Sequence, residues 1–147
     1  MCYGVYISTD SDEDLSKHNS ELVRFEKVTD SNTDPCTRLL EFPNQWYVGS
    51  KSGCSCTFRH LSSGEPMFCE PEDWYKEEQD ELDATGELYG ILVSLLSSGY
   101  GVDLVDRWEG TQPEDITTLD VTLDDVSESA FRLIENHKFR LKKIKAQ

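Results

Sequence analysis

The chain has 147 residues, a formal net charge of −15 and a hydrophobic fraction of 37%. That length is typical of one domain, so we predict a single domain over residues 1–147. Nine basic and 29 acidic residues precede Lys138, which gives residues 1–137 a net charge of −20. A field of that sign repels nucleic-acid backbones and anionic membranes, so neither is expected as a partner.

The sequence also argues against export and membrane insertion. Its start, Met-Cys-Tyr-Gly-Val-Tyr-Ile, lacks a basic leader and the apolar run of about 7–15 residues that marks a signal peptide. The most apolar stretch, residues 88–96, is too short to cross a bilayer. The five cysteines are an odd number, which disfavours a disulfide framework. We therefore expect a cytoplasmic protein with reduced thiols.

The first half of the chain is predicted to be rich in strands. Apolar patterns predict strands over residues 2–8, 22–28 and 39–42, with a solvated acidic loop over residues 9–20. Residues 46–50 and 54–61 predict two further strands joined by Lys51-Ser52-Gly53. These would form a tight antiparallel hairpin over residues 46–61, with Gly53 at a positive φ.

The clearest helix is predicted to begin near Glu70. Pro71 suits the first helical turn, and apolar residues recur at helical spacing as far as residue 96. Gly86 and Gly90 weaken the pattern and predict a kink or break. Gly99 is a natural end for the helix.

Strands are predicted again over residues 102–108 and 116–123, and a basic strand closes the chain around Phe139 and Leu141. Between them, the capping-box spacing of Asp125 and Glu128 predicts a short helix. Strands occur in runs rather than alternating with helices. We therefore predict an α+β fold, with a mostly antiparallel sheet, one long helix and one short C-terminal helix.

The predicted hairpin carries the most distinctive residues of the chain. In a strand, Cys54 and Cys56 would point to one face about 6.6 Å apart, and two such thiols can chelate a soft ion such as zinc. Cys69 is a candidate third thiolate. His60 lies on the same face roughly 13 Å further along, so it would join only if the strand bends.

Two other interpretations of these cysteines stay open. Free cysteines often pack in the core as small hydrophobic residues. Alternatively, an exposed thiol near Lys51 or Arg59 would have a lowered pKa and act as a redox or nucleophilic group. Cys2 offers a further nucleophile if Met1 is removed, because its own amine could act as the base.

The Met1-Cys2 start, followed by an apolar strand and by Tyr47-Val48-Gly49-Ser50-x-x-Gly53-Cys54-x-Cys56-x-Phe58, resembles a group of bacterial proteins with no established activity. The resemblance covers about twenty residues. It implies a bacterial, cytosolic origin and no particular substrate. It is also a reason to consider Cys2, Cys54 and Cys56 together, because the three thiols could converge on a metal ion if the first strand pairs beside the hairpin.

The predicted helix over residues 70–87 supports a different hypothesis. It holds nine carboxylates, which would dock a basic protein partner. A solvated helix face explains the same charge without any partner. No set of serine, histidine and aspartate supports a named reaction, and neither a phosphate-binding loop nor a dinucleotide fingerprint is present.

Overall fold

The computed structural model describes residues 2–61 and 76–142. These residues form one α-helix and eight strands, which confirms the α+β class. The helix α1 spans Gln79–Ser97. The strands are β1 (Tyr3–Thr9), β2 (Val23–Lys27), β3 (Asn44–Ser50), β4 (His60–Leu61), β5 (Val102–Trp108), β6 (Thr117–Val121), β7 (Leu133–Ile134) and β8 (His137–Leu141).

The strand β1 lies inside the main sheet, whose order is β2-β3-β1-β5-β8-β6. It runs antiparallel to β3 on one side and to β5 on the other. Residues 4–9 of β1 are buried, as expected for a strand whose two faces are both covered. The first strand therefore does pair with β3, the first strand of the predicted hairpin, with Val5 opposite Val48, as the convergence of the three thiols requires.

The prediction of a mostly antiparallel sheet needs correction, because the sheet is mixed. Strands β6 and β8 run parallel, and β4 and β7 form a separate parallel pair. Parallel neighbours need a long connection. Here the chain between β6 and β8 includes a 3-10 turn and the strand β7, which pairs with β4.

The prediction of a short C-terminal helix is also wrong, because the described residues of this segment contain no α-helix. The segment after β6 forms a 3-10 turn at Leu123–Asp125 and then the strand β7. The hydroxyl of Tyr89 donates to the carbonyls of Leu123 and Val126, at 3.3 and 2.7 Å. Phe131 is fully buried in the core. Tertiary packing thus overrides the local capping-box signal.

The long helix begins later than predicted. Within the described residues, 76–78 are not helical, and α1 starts at Gln79 behind a capping box formed by Glu78 and Glu81. The predicted start near Glu70 lies outside the described residues. Gly86 and Gly90 do not break the helix, and Gly99, with φ of 91°, follows its end as predicted.

The predicted hairpin over residues 46–61 is only half correct. Its first strand is β3, and Gly53 has the predicted positive φ of 90°. Its second strand is not formed, because only His60–Leu61 is extended and it pairs with β7 rather than β3. Residues 39–42 are not a strand either: Asp34 caps a 3-10 turn at Pro35–Leu39 through the N–H of Cys36.

The core lies mainly between α1 and one face of the main sheet. Leu88 and Leu92 of α1 share this buried cluster with Ile7 of β1. The opposite face carries a smaller buried cluster that includes Tyr6 and Cys36. Among the described residues, no helix is both long enough and apolar enough to span a membrane.

Candidate functional site

Three cysteines converge at one end of the main sheet, and we call them the thiol cluster: Cys2, Cys54 and Cys56. Their sulfur atoms all lie within 4.8 Å of one another, and each residue is partly buried. Cys2 immediately precedes β1. Cys54 and Cys56 belong to the cysteine loop, residues 51–59, which joins β3 to β4.

The cysteine loop turns sharply directly after β3. The N–H and the hydroxyl of Ser50 both donate to the carbonyl of Cys54, at 2.8 and 2.6 Å. The N–H of Gly53 donates back to the carbonyl of Ser50 at 2.9 Å. This closed turn needs the left-handed backbone at Gly53, which glycine adopts without steric cost.

Ser55, between the two loop cysteines, attaches the loop to the sheet. Its fully buried hydroxyl accepts from the N–H of Val5 at 2.9 Å and donates to the carbonyl of Val48 at 2.6 Å. Its own N–H donates to the carbonyl of Tyr3 at 3.3 Å. Ser55 therefore bridges β1 and β3, and it holds the loop cysteines beside the residue that follows Cys2.

Hydrogen bonds polarise the two loop thiols. Burial tends to raise the pKa of Cys54, but hydrogen bonds from Ser52 and Cys56 outweigh it and lower the pKa to about 7. Burial and the neighbouring Cys54 raise the pKa of Cys56 to about 12, although the N–H of Tyr3 donates to its sulfur at 3.4 Å. The pair therefore loses its first proton around neutral pH and keeps its second proton until the solution is strongly alkaline.

The basic residues of the loop do not cause this ionisation, contrary to the sequence-based interpretation. Lys51 pairs with Asp80 at 3.0 Å. The buried Arg59 makes a two-point hydrogen bond to Glu77, at 2.9 Å for each contact. Both cations are thus engaged by carboxylates, and the thiols are polarised by hydroxyl, thiol and backbone groups instead.

The structure does not bring His60 into the thiol cluster as a ligand. Its Nδ1 lies 2.7 Å from an oxygen of Asp106, and its Nε2 lies 2.7 Å from the carbonyl of Ser55. Both nitrogens face acceptors, so neither has a lone pair to offer a metal. Cys69, the other predicted ligand, lies outside the described residues.

The pairing of His60 with Asp106 is not part of a hydrolytic triad. The imidazole faces the backbone carbonyl of Ser55, and the hydroxyl of that serine is used by Val5 and Val48. Within the part of the chain that the structure describes, no base therefore contacts the Ser55 hydroxyl. The histidine instead stacks on the ring of Tyr3, with ring centroids 3.8 Å apart.

Sequence reasoning missed three residues that organise this site: Tyr3, Ser55 and Asp106. One signal was available, because Asp106 lies in the same strand as the buried residues Val102, Leu104 and Val105, and a buried carboxylate needs a partner. Nothing local marked Ser55, whose role depends on where β1 and β3 pair.

No protein-family model, curated protein or solved structure matches the chain significantly.

Proposed function

We propose that the chain binds a soft metal ion, with zinc as the leading candidate, through Cys2, Cys54 and Cys56. The observation that supports this function is the convergence of three sulfur atoms within 4.8 Å of one another. Zn–S bonds of about 2.3 Å in a tetrahedral site separate sulfurs by about 3.8 Å, so binding needs each pair to approach by about 1 Å at most.

The chemistry of the donors supports the same proposal. Metal ions bind thiolates rather than thiols, and Cys54 ionises near neutral pH. The N–H of Tyr3 already donates to the sulfur of Cys56, a contact that favours a thiolate once the metal displaces the proton. A reducing, cytoplasmic location belongs to the proposal, because oxidation would remove the ligands.

Equilibrium titration of the reduced protein with Zn²⁺, and with Co²⁺ as a spectroscopic probe, tests the proposal. We expect one ion per chain and sulfur-to-cobalt charge-transfer absorption. Cys54→Ser should weaken binding by more than the roughly 100-fold that loss of an outer-shell partner costs. Cys36→Ser is the matched control and should bind as the wild type does. Absence of metal binding by the wild type would refute the proposal.

The lowered pKa of Cys54 favours a second candidate function, thiol–disulfide exchange. The Cys54 thiolate would attack a small disulfide and release one thiol. Cys56 or Cys2 would then attack the mixed disulfide, release the second thiol and leave an intramolecular disulfide. Two equivalents of released thiol per metal-free chain would support this function, whereas one equivalent or none would count against it.

The acidic region over residues 70–87 supports docking of a basic protein partner as a further proposal. Its described part includes Asp83 and Glu87, both exposed on α1. Asp80 is paired with Lys51, which reduces the free charge. Binding of a basic peptide that weakens as salt rises from low to physiological concentration would support the proposal. The Asp83→Asn/Glu87→Gln double variant should bind it less tightly.

A further inference from the structure

His60 is a titratable group enclosed by protein. Its side chain is 5% exposed, and that of Asp106 is 1% exposed. The carboxylate of Asp106 and the carbonyl of Ser55 are both acceptors, each 2.7 Å from a different ring nitrogen. Two acceptors require two ring N–H groups, so the geometry calls for the imidazolium form.

The surroundings of His60 are consistent with that form. Burial tends to lower the pKa of His60, but the adjacent Asp106 carboxylate outweighs it and the net shift is upward. Glu81 of α1 adds a further favourable charge. On the other side the ring stacks on Tyr3, whose hydroxyl donates to Glu135 at 2.7 Å.

His60 contacts both of the segments that carry the cysteines. Its Nε2 forms a hydrogen bond with the carbonyl of Ser55, the residue between Cys54 and Cys56. Its ring lies flat against Tyr3, the residue after Cys2, with an interplanar angle of 8°. A single side chain therefore fixes the position of the cysteine loop relative to the start of β1.

We infer that His60 is the positioning residue of the metal site, holding the two cysteine-bearing segments in register as a buried imidazolium anchored by Asp106. The inference rests on the proposed metal-binding function. A neutral or missing imidazole leaves the Ser55 carbonyl or the Asp106 carboxylate without its donor. Within the described residues, the second oxygen of Asp106 has no hydrogen-bond partner, so this carboxylate depends on His60.

The metal affinity of a His60→Gln variant tests the inference. Glutamine keeps one donor but cannot serve both acceptors. We expect Zn²⁺ affinity, measured by competition with a chelating dye, to fall about 10–100-fold, with a broadened Co²⁺ spectrum. The matched control is His18→Gln, because His18 bonds Glu13 in a separate turn. That variant should keep wild-type affinity and spectrum.

A measurement on the wild-type chain covers the case in which His60→Gln fails to fold. Nitrogen-15 NMR of the metal-free protein at neutral pH should show two protonated ring nitrogens on His60. A neutral ring, or a folded His60→Gln variant with wild-type affinity and spectrum, would overturn the positioning role alone. A wild type that binds no metal would refute the proposed function, and the positioning role would fall with it.

Discussion

Cys36 and the thiol cluster show cysteine side chains in two environments with opposite effects on the thiol pKa. Cys36 is fully buried, its thiol lies 3.5 Å from the carbonyl of Thr111, and burial raises its pKa to about 11. Cys54 is partly buried, receives hydrogen bonds, and has a pKa near 7. The contrast shows that cysteine content alone carries no functional information. The hydrogen-bond donors around the sulfur and the neighbouring thiols cause the difference in thiol pKa.

Two aspartates of β5 show the same contrast on the two faces of the sheet. Asp103 accepts from the hydroxyl of Ser8 and from the N–H of Glu41, and lies 3.5 Å from Lys138. Both of its oxygens are therefore occupied by structural contacts. Among residues 2–61 and 76–142, Asp106 has one oxygen without a hydrogen-bond partner and one bonded to His60, the residue that contacts the cysteine loop.

The largest expected difference between the two settings is in alkylation rate. At pH 7 about half of Cys54 and about one Cys36 in ten thousand are ionised, from pKa values of about 7 and about 11. The weaker intrinsic nucleophilicity of the less basic thiolate offsets part of this. We expect metal-free Cys54 to react with iodoacetamide about 100-fold faster, measured by peptide mass spectrometry.

The pH dependence of alkylation sharpens this comparison. The rate at Cys54 should level off above about pH 8, where ionisation of its thiol is nearly complete, while the rate at Cys36 rises about tenfold per pH unit up to its pKa. The ratio between them should therefore shrink as pH rises. Equal alkylation rates at pH 7 would contradict the difference in ionisation between Cys54 and Cys36.

Ser55→Ala tests the attachment of the cysteine loop. The change leaves the N–H of Val5 and the carbonyl of Val48 without their buried partner, so we expect a loss of about 1–3 kcal/mol in the free energy of unfolding. Urea denaturation measures this loss. Zn²⁺ affinity should fall as well, because the loop cysteines lose their fixed position.

Thr37→Ala is the matched control beside Cys36. Its hydroxyl donates to the carbonyl of Asp34 at 2.7 Å, and its loss should cost about 0.5–1.5 kcal/mol without changing Zn²⁺ affinity. If both variants weaken metal binding equally, the effect is a general loss of stability rather than a property of the loop.

The smallest expected effect is on the free energy of unfolding, and it has opposite signs when two glycines are replaced by alanine. Gly53→Ala forces a side chain onto a backbone with φ of 90°, and should destabilise the protein by about 1–2 kcal/mol. Gly90→Ala, at an exposed and sterically open position in α1, should stabilise it by about 0.5–1 kcal/mol. Thermal unfolding compares the two. A neutral Gly53→Ala would contradict the tight turn after β3.

Much of the fold could be predicted from local pattern. The strands β1, β2, β3, β5, β6 and β8 and the end of α1 at Gly99 follow from hydrophobic periodicity and glycine. The pairing of Cys54 with Cys56 was predicted on a wrong premise, because these residues lie in a turn rather than in a strand. Their proximity survives because they are only two residues apart.

The sequence by itself determined the acidic charge, the cysteine content and most strands, since these depend on residue identity and short-range periodicity. Only the tertiary structure decided that Cys2 meets Cys54, and that His60 faces Asp106 rather than the thiols. Those contacts join residues 52 and 46 positions apart. They depend on which strands become neighbours, and therefore on burial summed over the whole sheet rather than on any local signal.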